Sequence, residues 1–235
     1  MPEPLLLIYL ATALGAYLLG SVPTGFLVAK ARGIDIRSVG SGNIGATNAM
    51  RVLGKPAGIF VLLADALKGF AAAAWLSPQV FNWLAPHFFK FDYQHPTGFF
   101  FASFKEQSVE LQLRLCVVAG IFAVLGHNYT CWLKFKGGKG IATTAGVYLA
   151  LAPVPLLIAL GVFILVLLAS RIVSMASMSA AMALPVVVWM MPPHNLFLGI
   201  VTTALGALAI YKHKSNIQRV MAGTENRLSQ KKETK

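Results

Sequence analysis

Apolar runs of membrane length decide what this chain can become. They lie near 4–27, 56–76, 111–133, 140–169, 172–192 and 195–211, each long enough to cross a hydrocarbon layer as a helix. The run 140–169 is interrupted by Pro153 and Pro155, which predicts two shorter spans joined by a tight turn. The reading is therefore an all-α integral membrane protein of about seven transmembrane helices, with residues 1–235 forming one polytopic domain. Composition agrees, because apolar residues make up 57% of the chain and charged residues 12%, about half the charge of a soluble domain. Twenty Lys and Arg with eight Asp and Glu cannot cover a water-facing surface of 235 residues. A soluble enzyme, a disulfide scaffold and a disordered chain are all excluded.

Charge sets the orientation. Segment 30–55 holds five Lys or Arg against one acid, 134–139 holds three Lys, and 212–235 holds seven Lys or Arg against two acids. Segment 77–110 has two Lys against Asp92, Glu106 and Glu110, and 190–195 has no charged residue other than His194. Alternation through seven spans puts every basic connection on one face, with the N-terminus outside and the C-terminus cytoplasmic. The chain begins Met-Pro-Glu-Pro with no basic region before its first apolar run, and Lys30 and Arg32 follow that run. It reads as an uncleaved first span and not a signal peptide. The net charge of +12 is explained by this sorting and by anionic phosphate ligands, without nucleic acid. Cys116 and Cys131 stand in one helical stretch, roughly 22 Å apart at 1.5 Å per residue, beyond disulfide reach. No ligand set for a metal is present. Segment 77–110, rich in Phe, Trp and Tyr, is expected as an outside interfacial loop or short amphipathic helix, and 212–235 as a basic cytoplasmic tail.

Four polar motifs interrupt this pattern, three of them in connections assigned to the cytoplasm. The run Gly40-Ser41-Gly42-Asn43-Ile44-Gly45-Ala46-Thr47-Asn48, followed by Arg51, matches the spacing of a dinucleotide fingerprint. It fails the context that fingerprint needs, since no strand precedes it. What remains is small residues that let backbone approach a ligand, amides suited to anions, and the side chains of Ser41, Thr47, Asn48 and Arg51 as donors. The run Phe135-Lys136-Gly137-Gly138-Lys139-Gly140-Ile141-Ala142-Thr143 is not a Walker A loop. It still sets two lysines on a glycine turn at a helix N-terminus, where amides and dipole favour phosphate. Asp65-Ala66-Leu67-Lys68-Gly69 puts two charges inside the second span. At i and i+3 they share a helix face, and a structural ion pair and a ligand role stay equally open. The tail carries His213-Lys214-Ser215-Asn216-Ile217-Gln218-Arg219 and then Gly223-Thr224-Glu225, either an anchor to anionic lipid or a rim to a phosphate site. Of the five histidines, His127 and His213 alone fall where a cytoplasmic site could use them.

These motifs resemble the bacterial acyl-phosphate:glycerol-3-phosphate acyltransferase family (PlsY type). The likeness runs through Gly20-Ser21-Val22-Pro23, Gly40–Asn48 with Arg51, Asp65-x-x-Lys68-Gly69, Gly126-His127 with Phe135–Thr143, Ser174, and His213-x-x-Asn216-Ile217-x-Arg219 to Glu225. It covers nearly the whole chain except 77–110, which looks longer than this family usually has. The resemblance implies a seven-helix enzyme of the bacterial inner membrane that acylates the 1-hydroxyl of sn-glycerol 3-phosphate from an acyl phosphate. The products would be lysophosphatidate and phosphate, made with no cofactor and no obligate protein partner, at a site on the cytoplasmic face. Both substrates carry phosphate, so clustered cations suit them. An acyl phosphate is already activated, and positioning with charge stabilisation could carry the reaction.

The expected division of labour follows from the resemblance and the residue chemistry. Ser41, with the backbone of Gly40, Gly42, Asn43 and Gly45, would cradle one phosphate, beside Thr47 and Asn48. Arg51, Lys136, Lys139 and Lys68 would neutralise charge, with Gly137, Gly138, Gly140 and Thr143 of the second loop also binding phosphate. His213 and Asn216 would orient the acceptor, with Glu225 holding His213 or Arg219, and Ser174, Arg219 and Glu225 counted among the substrate-binding residues. His127 is one candidate base and a substrate phosphate oxygen another. His87 and Asp92 form an H-x4-D like that of a different acyltransferase class, but on the outer side and without glycines or cations, which reads as chance. An organic-phosphate transporter is the rival function; it would tend to show internal repeats and polar residues at the midplane.

The orientation has a direct test. Single cysteines placed in 77–110 should react in intact cells with a membrane-impermeant thiol reagent, whereas one at residue 138 should not; the reverse pattern would invert the topology.

Overall fold

Proline sets many of the helix boundaries. The computed structural model describes residues 3–88, 98–192 and 194–228, with side chains over 5–84, 109–192 and 194–228. Every regular element among them is helical. Helices α1 (Glu3–Ser21) and α2 (Thr24–Lys30) are divided at Val22-Pro23, where the missing proline N–H ends the ladder. After α3 (Ala46–Leu53), α4 (Lys55–Ala71) starts with Pro56 in its first turn. A π-turn over Ala72–Leu76 leads into α5 (Ser77–Phe88). Next come α6 (Gly98–Asn128), a short 3-10 turn (Cys131–Leu133) and α7 (Ile141–Leu151). Pro153 opens α8 (Pro153–Ser170), as expected of the broken run, and α9 (Val173–Met190), α10 (Leu196–Lys212) and α11 (Lys214–Met221) follow.

The chain divides into two compact units, 1–151 and 152–235. In the first, α1 packs on α6, α4 on α7, and α3 on α4; in the second, α8 packs on α9 and α9 on α10. Lipid gives helices no hydrophobic reason to associate, so close backbone approach has to supply the attraction. The glycines do this. A Cβ at Gly20 of α1 would fall on the Ala123 carbonyl of α6, and one at Gly126 of α6 on the Tyr17 carbonyl of α1. Gly69 of α4 meets the Thr143 carbonyl of α7, and Gly146 of α7 meets the Ala66 carbonyl of α4. Fully buried Ala16, Ala72, Ala119 and Ala123 continue the same logic where α1, the π-turn and α6 meet. Large apolar side chains point away from these seams: Leu63 is 62% exposed and Leu168 73%, as lipid-facing positions should be.

Among the described residues, five helical stretches are long and apolar enough to span: Leu5–Lys30, Lys55–Leu84, Val109–Leu133, Pro153–Ser170 and Val173–Met190. Helices α10 and α11 make a sixth if their 56° bend is taken as one broken span. Helix α7 is apolar but has 11 residues, about 16 Å of helix at 1.5 Å per residue. That is half of a hydrocarbon core of about 30 Å. The second span also runs further than expected: helix continues through 77–88, and α6 begins at Gly98, so of the two readings of 77–110, an interfacial loop or a short amphipathic helix, the described part is helical.

Substitutions at two glycines should separate packing from propensity. Gly146→Ala drives a methyl into backbone that cannot yield, and we expect a loss of about 1–3 kcal/mol. Gly161→Ala, with nothing within 4 Å of its Cβ, should be neutral or stabilise by up to about 1 kcal/mol. Thermal unfolding in detergent micelles reads both.

Candidate active site

The first loop is built around one buried amide. Asn48, 2% exposed, donates through Nδ2 to the carbonyls of Val39 and Asn43 at 3.1 and 2.9 Å and reaches that of Ile36 at 3.3 Å. Its Oδ1 accepts the Ser41 N–H at 2.8 Å. Gly40 and Gly42 sit at φ +63° and +70°, the left-handed region that suits glycine. Asn43 Oδ1 accepts the Gly45 N–H at 2.9 Å, ahead of α3. On the approach to the loop, Arg37 donates to both oxygens of Asp35, holding that carboxyl down to about 2, and lies 5.0 Å over the Phe26 ring. Arg32 Nη1 donates to the Leu53 carbonyl at 2.8 Å. The result is a clamped loop with Ser41, Thr47 and Arg51 exposed on it.

The second loop grows from the end of α6. Lys134 and Phe135 are left-handed, at φ 53° and 59°, and turn the chain back on itself. The Gly137 and Gly138 N–H groups then donate to the carbonyls of Asn128 and His127 at 3.2 and 3.0 Å. They thus satisfy carbonyls that a helix end leaves open. Lys136 is exposed and Lys139 half-buried, just ahead of the first turn of α7, where the helix dipole favours an anion. Leu133 joins Ala29, Ile36, Ile44, Ala49 and Val61 in one apolar cluster. Both loops therefore stand on the same platform, at the same end of the first unit.

Beneath the loops lies a buried polar network. Lys68 Nζ is 2.8 Å from Asp65 Oδ1 and donates to the Val22 carbonyl at 2.9 Å. His127 Nδ1 stands 3.6 Å from the same Asp65 oxygen. Thr130 Oγ1 donates to the Ser21 carbonyl at 2.5 Å. The break at Pro23 frees carbonyls that hydrocarbon cannot satisfy, and Lys68 and Thr130 satisfy them.

In the second unit Glu225 organises the tail. Its Oε1 accepts from Ser174 Oγ at 3.0 Å and Asn216 Nδ2 at 2.7 Å, and its Oε2 from Arg219 Nε at 2.7 Å. The Leu228 N–H donates to the Arg171 carbonyl at 2.9 Å, tying the tail to the α8–α9 turn. His213 is 3% exposed, with Nδ1 2.7 Å from the Ala209 carbonyl. A carbonyl accepts only, so Nδ1 carries the proton and, in the neutral ring, Nε2 the lone pair.

The family model described as Glycerol-3-phosphate acyltransferase matches residues 10–223. The chain belongs to that family. It is 43% identical over 215 residues to a glycerol-3-phosphate acyltransferase of Geotalea daltonii, covering 91% of this chain and 94% of the relative. It is 45% identical over 220 residues to one of Thermosynechococcus vestitus, covering 92% and 93%. The fold is similar to the crystal structure of PlsY (YgiH), an integral membrane glycerol 3-phosphate acyltransferase. The glycerol 3-phosphate form gives a TM-score of 0.76 at 33% identity, covering 94% of this chain and 96% of that one. The lysophosphatidic acid form gives 0.72 at 32%, covering 95% and 94%.

For this acyltransferase family member the structure sorts the expected site residues into two kinds. Ser41, Thr47, Arg51 and Lys136 are presented outward. Others are committed to holding them. The amides of Ser41, Gly42 and Gly45 are bonded within the first loop, to Asn48 Oδ1, the Val39 carbonyl and Asn43 Oδ1. Those of Gly137 and Gly138 are bonded to α6, so these two are not left for an anion. Asn48 is a loop brace, and Thr143 is 0% exposed, with its carbonyl against Gly69. Gly140, at φ +82°, packs against the Asn128 side chain. Lys68 is 6% exposed and engaged with Asp65 and Val22, which favours the ion pair of the two readings left open. Glu225 holds Arg219, while His213 turns to Ala209. Two residues escaped sequence reasoning: Asp65 as a neighbour of His127, and Asn128 beneath the glycine turn. The charge at membrane depth was a signal for Asp65; Asn128, next to His127, gave none. His87 and Asp92 lie outside the residues whose side chains are described.

Glu225 gives a pH prediction. Burial pushes its carboxyl up, but donation from Asn216, Arg219 and Ser174 outweighs this and holds it below the ordinary 4.5. The folded tail thus binds the proton less well than the free chain. Its stabilisation is complete above pH 4.5 and is lost as pH falls through the lowered value. Amide exchange at Thr224 and Leu228 should accelerate on acidification below that point. Glu225→Gln should flatten this dependence and leave those amides less protected at pH 7.

Proposed function

We propose that this protein moves a fatty acyl group from an acyl phosphate to the 1-hydroxyl of sn-glycerol 3-phosphate. The products are lysophosphatidate and phosphate. Glycerol 3-phosphate as acceptor is the substrate named by the family and by the solved relatives, whose two forms carry it and lysophosphatidic acid. The observation that carries the reading is the pairing of a clamped loop bearing Ser41, Thr47 and Arg51 with a turn bearing Lys136 and Lys139, both on one apolar platform. Two phosphates and an acyl tail call for that combination of fixed donors, cations and an apolar surround.

In this reading Ser41 donates to a phosphate oxygen, and Arg51, Lys136 and Lys139 neutralise charge that shifts as the carbonyl–phosphate bond breaks. To the second unit we assign His213 and Asn216, as groups that orient the acceptor hydroxyl, with Glu225, Arg219 and Ser174 holding Asn216 in place. The acceptor oxygen attacks the acyl carbon directly and phosphate leaves with the bonding electron pair. The acceptor proton passes to a phosphate oxygen; His127, 5% exposed, is too enclosed to be the better base. A serine nucleophile needs a base within reach and a group orienting it; Glu225, the acid that could serve His213, is bonded elsewhere. The seven-span topology counts α7 as a half-length span against α4, which puts the C-terminus and both loops at the cytoplasmic face of a bacterial inner membrane.

Purified protein given palmitoyl phosphate should release phosphate when glycerol 3-phosphate is added, and little without it. Ser41→Ala and Lys139→Gln should each lower kcat/KM about ten- to a hundred-fold, the effect of one hydrogen bond to a charged group at roughly 1.5–3 kcal/mol. No turnover with any acyl phosphate would end the proposal. Radiolabel on Ser41 after acid quench, chasing into product when acceptor is added, would replace direct transfer with an acyl-enzyme.

A further inference from the structure

Asp65 is 2% exposed on α4, and pairing with Lys68 explains only part of its position. Lys68 needs a counter-ion because it is buried where it caps the Val22 carbonyl. An acid anywhere around its ammonium would serve. The oxygen that meets Lys68 Nζ at 2.8 Å is nevertheless the one that stands 3.6 Å from His127 Nδ1, on a different helix. At that distance the contact is longer than a formed hydrogen bond, but it is close enough to set ring orientation and to favour the proton on Nδ1.

His127 is what the glycine turn rests on. Its carbonyl accepts the Gly138 N–H at 3.0 Å. The Nε2 edge of its ring occupies the space a Cβ at Gly138 would take, so no other residue fits there without moving the ring. The imidazole is thus held between a carboxylate on one side and the turn on the other. Lys136 and Lys139 flank Gly137 and Gly138, and their reach depends on where those two glycines sit.

We propose that Asp65 is a positioning residue: acting through His127, it fixes the Lys136–Lys139 turn against the end of α6. This rests on the reading that the turn serves substrate phosphate. Lysines on a loose turn would have to be ordered at each binding event, so losing Asp65 weakens substrate binding more than it slows the bound complex.

Asp65→Asn alone strands the Lys68 charge and can unfold the protein. The informative variant is therefore Asp65→Asn with Lys68→Met, which removes both charges. With the Thr24 N–H still on the Val22 carbonyl at 3.0 Å, it should melt within a few degrees of wild type. KM for palmitoyl phosphate or glycerol 3-phosphate should rise ten-fold or more, with kcat changed less than three-fold. Adding the same pair to His127→Gln should raise KM less than two-fold further, because two changes on one line of action do not multiply. A purely structural ion pair would instead act equally in both backgrounds. A second readout needs no turnover: Lys136→Cys, with Cys116 and Cys131 replaced by Ala, is labelled with a maleimide. The charge-free pair should speed labelling at least three-fold, and His127→Gln should do the same with no further gain when they are combined. Unchanged labelling in a folded variant, or KM effects that multiply, would overturn the proposal. Wild-type protein without acyltransferase turnover would count against the function alone, and the labelling would still decide the role of Asp65.

Discussion

A backbone in hydrocarbon has no water to turn to, and the break in the first span makes that constraint local. Pro23 interrupts the ladder of α1 and leaves the Ser21 and Val22 carbonyls outside it, the second with only the Thr24 N–H at 3.0 Å, in an environment that cannot solvate them. Two neighbouring segments answer, Thr130 with its hydroxyl and Lys68 with its ammonium. A buried ammonium requires an acid, so Asp65 follows. Each step forces the next, and together they bind α1, α4 and the end of α6 at one level. The loops that carry the exposed donors start from that level.

The same economy runs through the loops. Most of their polar atoms do not face a ligand; they hold the few that do. Asn48 spends both ends of its amide on the segment from Ile36 to Asn43, and Gly137 and Gly138 cap α6. A rigid presentation of few groups is what electrostatic catalysis requires, since donors that must reorganise lose their advantage over water.

The apolar helices, the break at Pro153 and the family were legible because periodicity, proline and motif spacing are local properties of sequence. The expected count of seven spans was not, since the described residues give five, or six with the bent pair, and α7 is too short. The crowding of polar residues into connections was equally plain. Individual roles were not, because a donor that binds substrate and a donor that braces a loop have the same chemistry. Asn48 and Ser41 look alike in a string of Gly, Ser, Asn and Thr; burial alone separates them. Glycines posed the same difficulty: Gly69 and Gly146 could be read as flexibility, and they are contact points between α4 and α7. The partnership of Asp65 and His127 depends on two helices distant in sequence, and nothing local encodes it.

The Glu225 clasp bears on when the second unit takes its final form. Ser174, Asn216 and Arg219 are all made before the residue that gathers them. A nascent chain entering the membrane in order carries these side chains without their acceptor until residue 225 has left the ribosome. The helices of that unit can insert and pack beforehand, but the polar arrangement at their end is a late event in biosynthesis. A chain ended anywhere between the last helix and residue 225 would keep these helices and never acquire it.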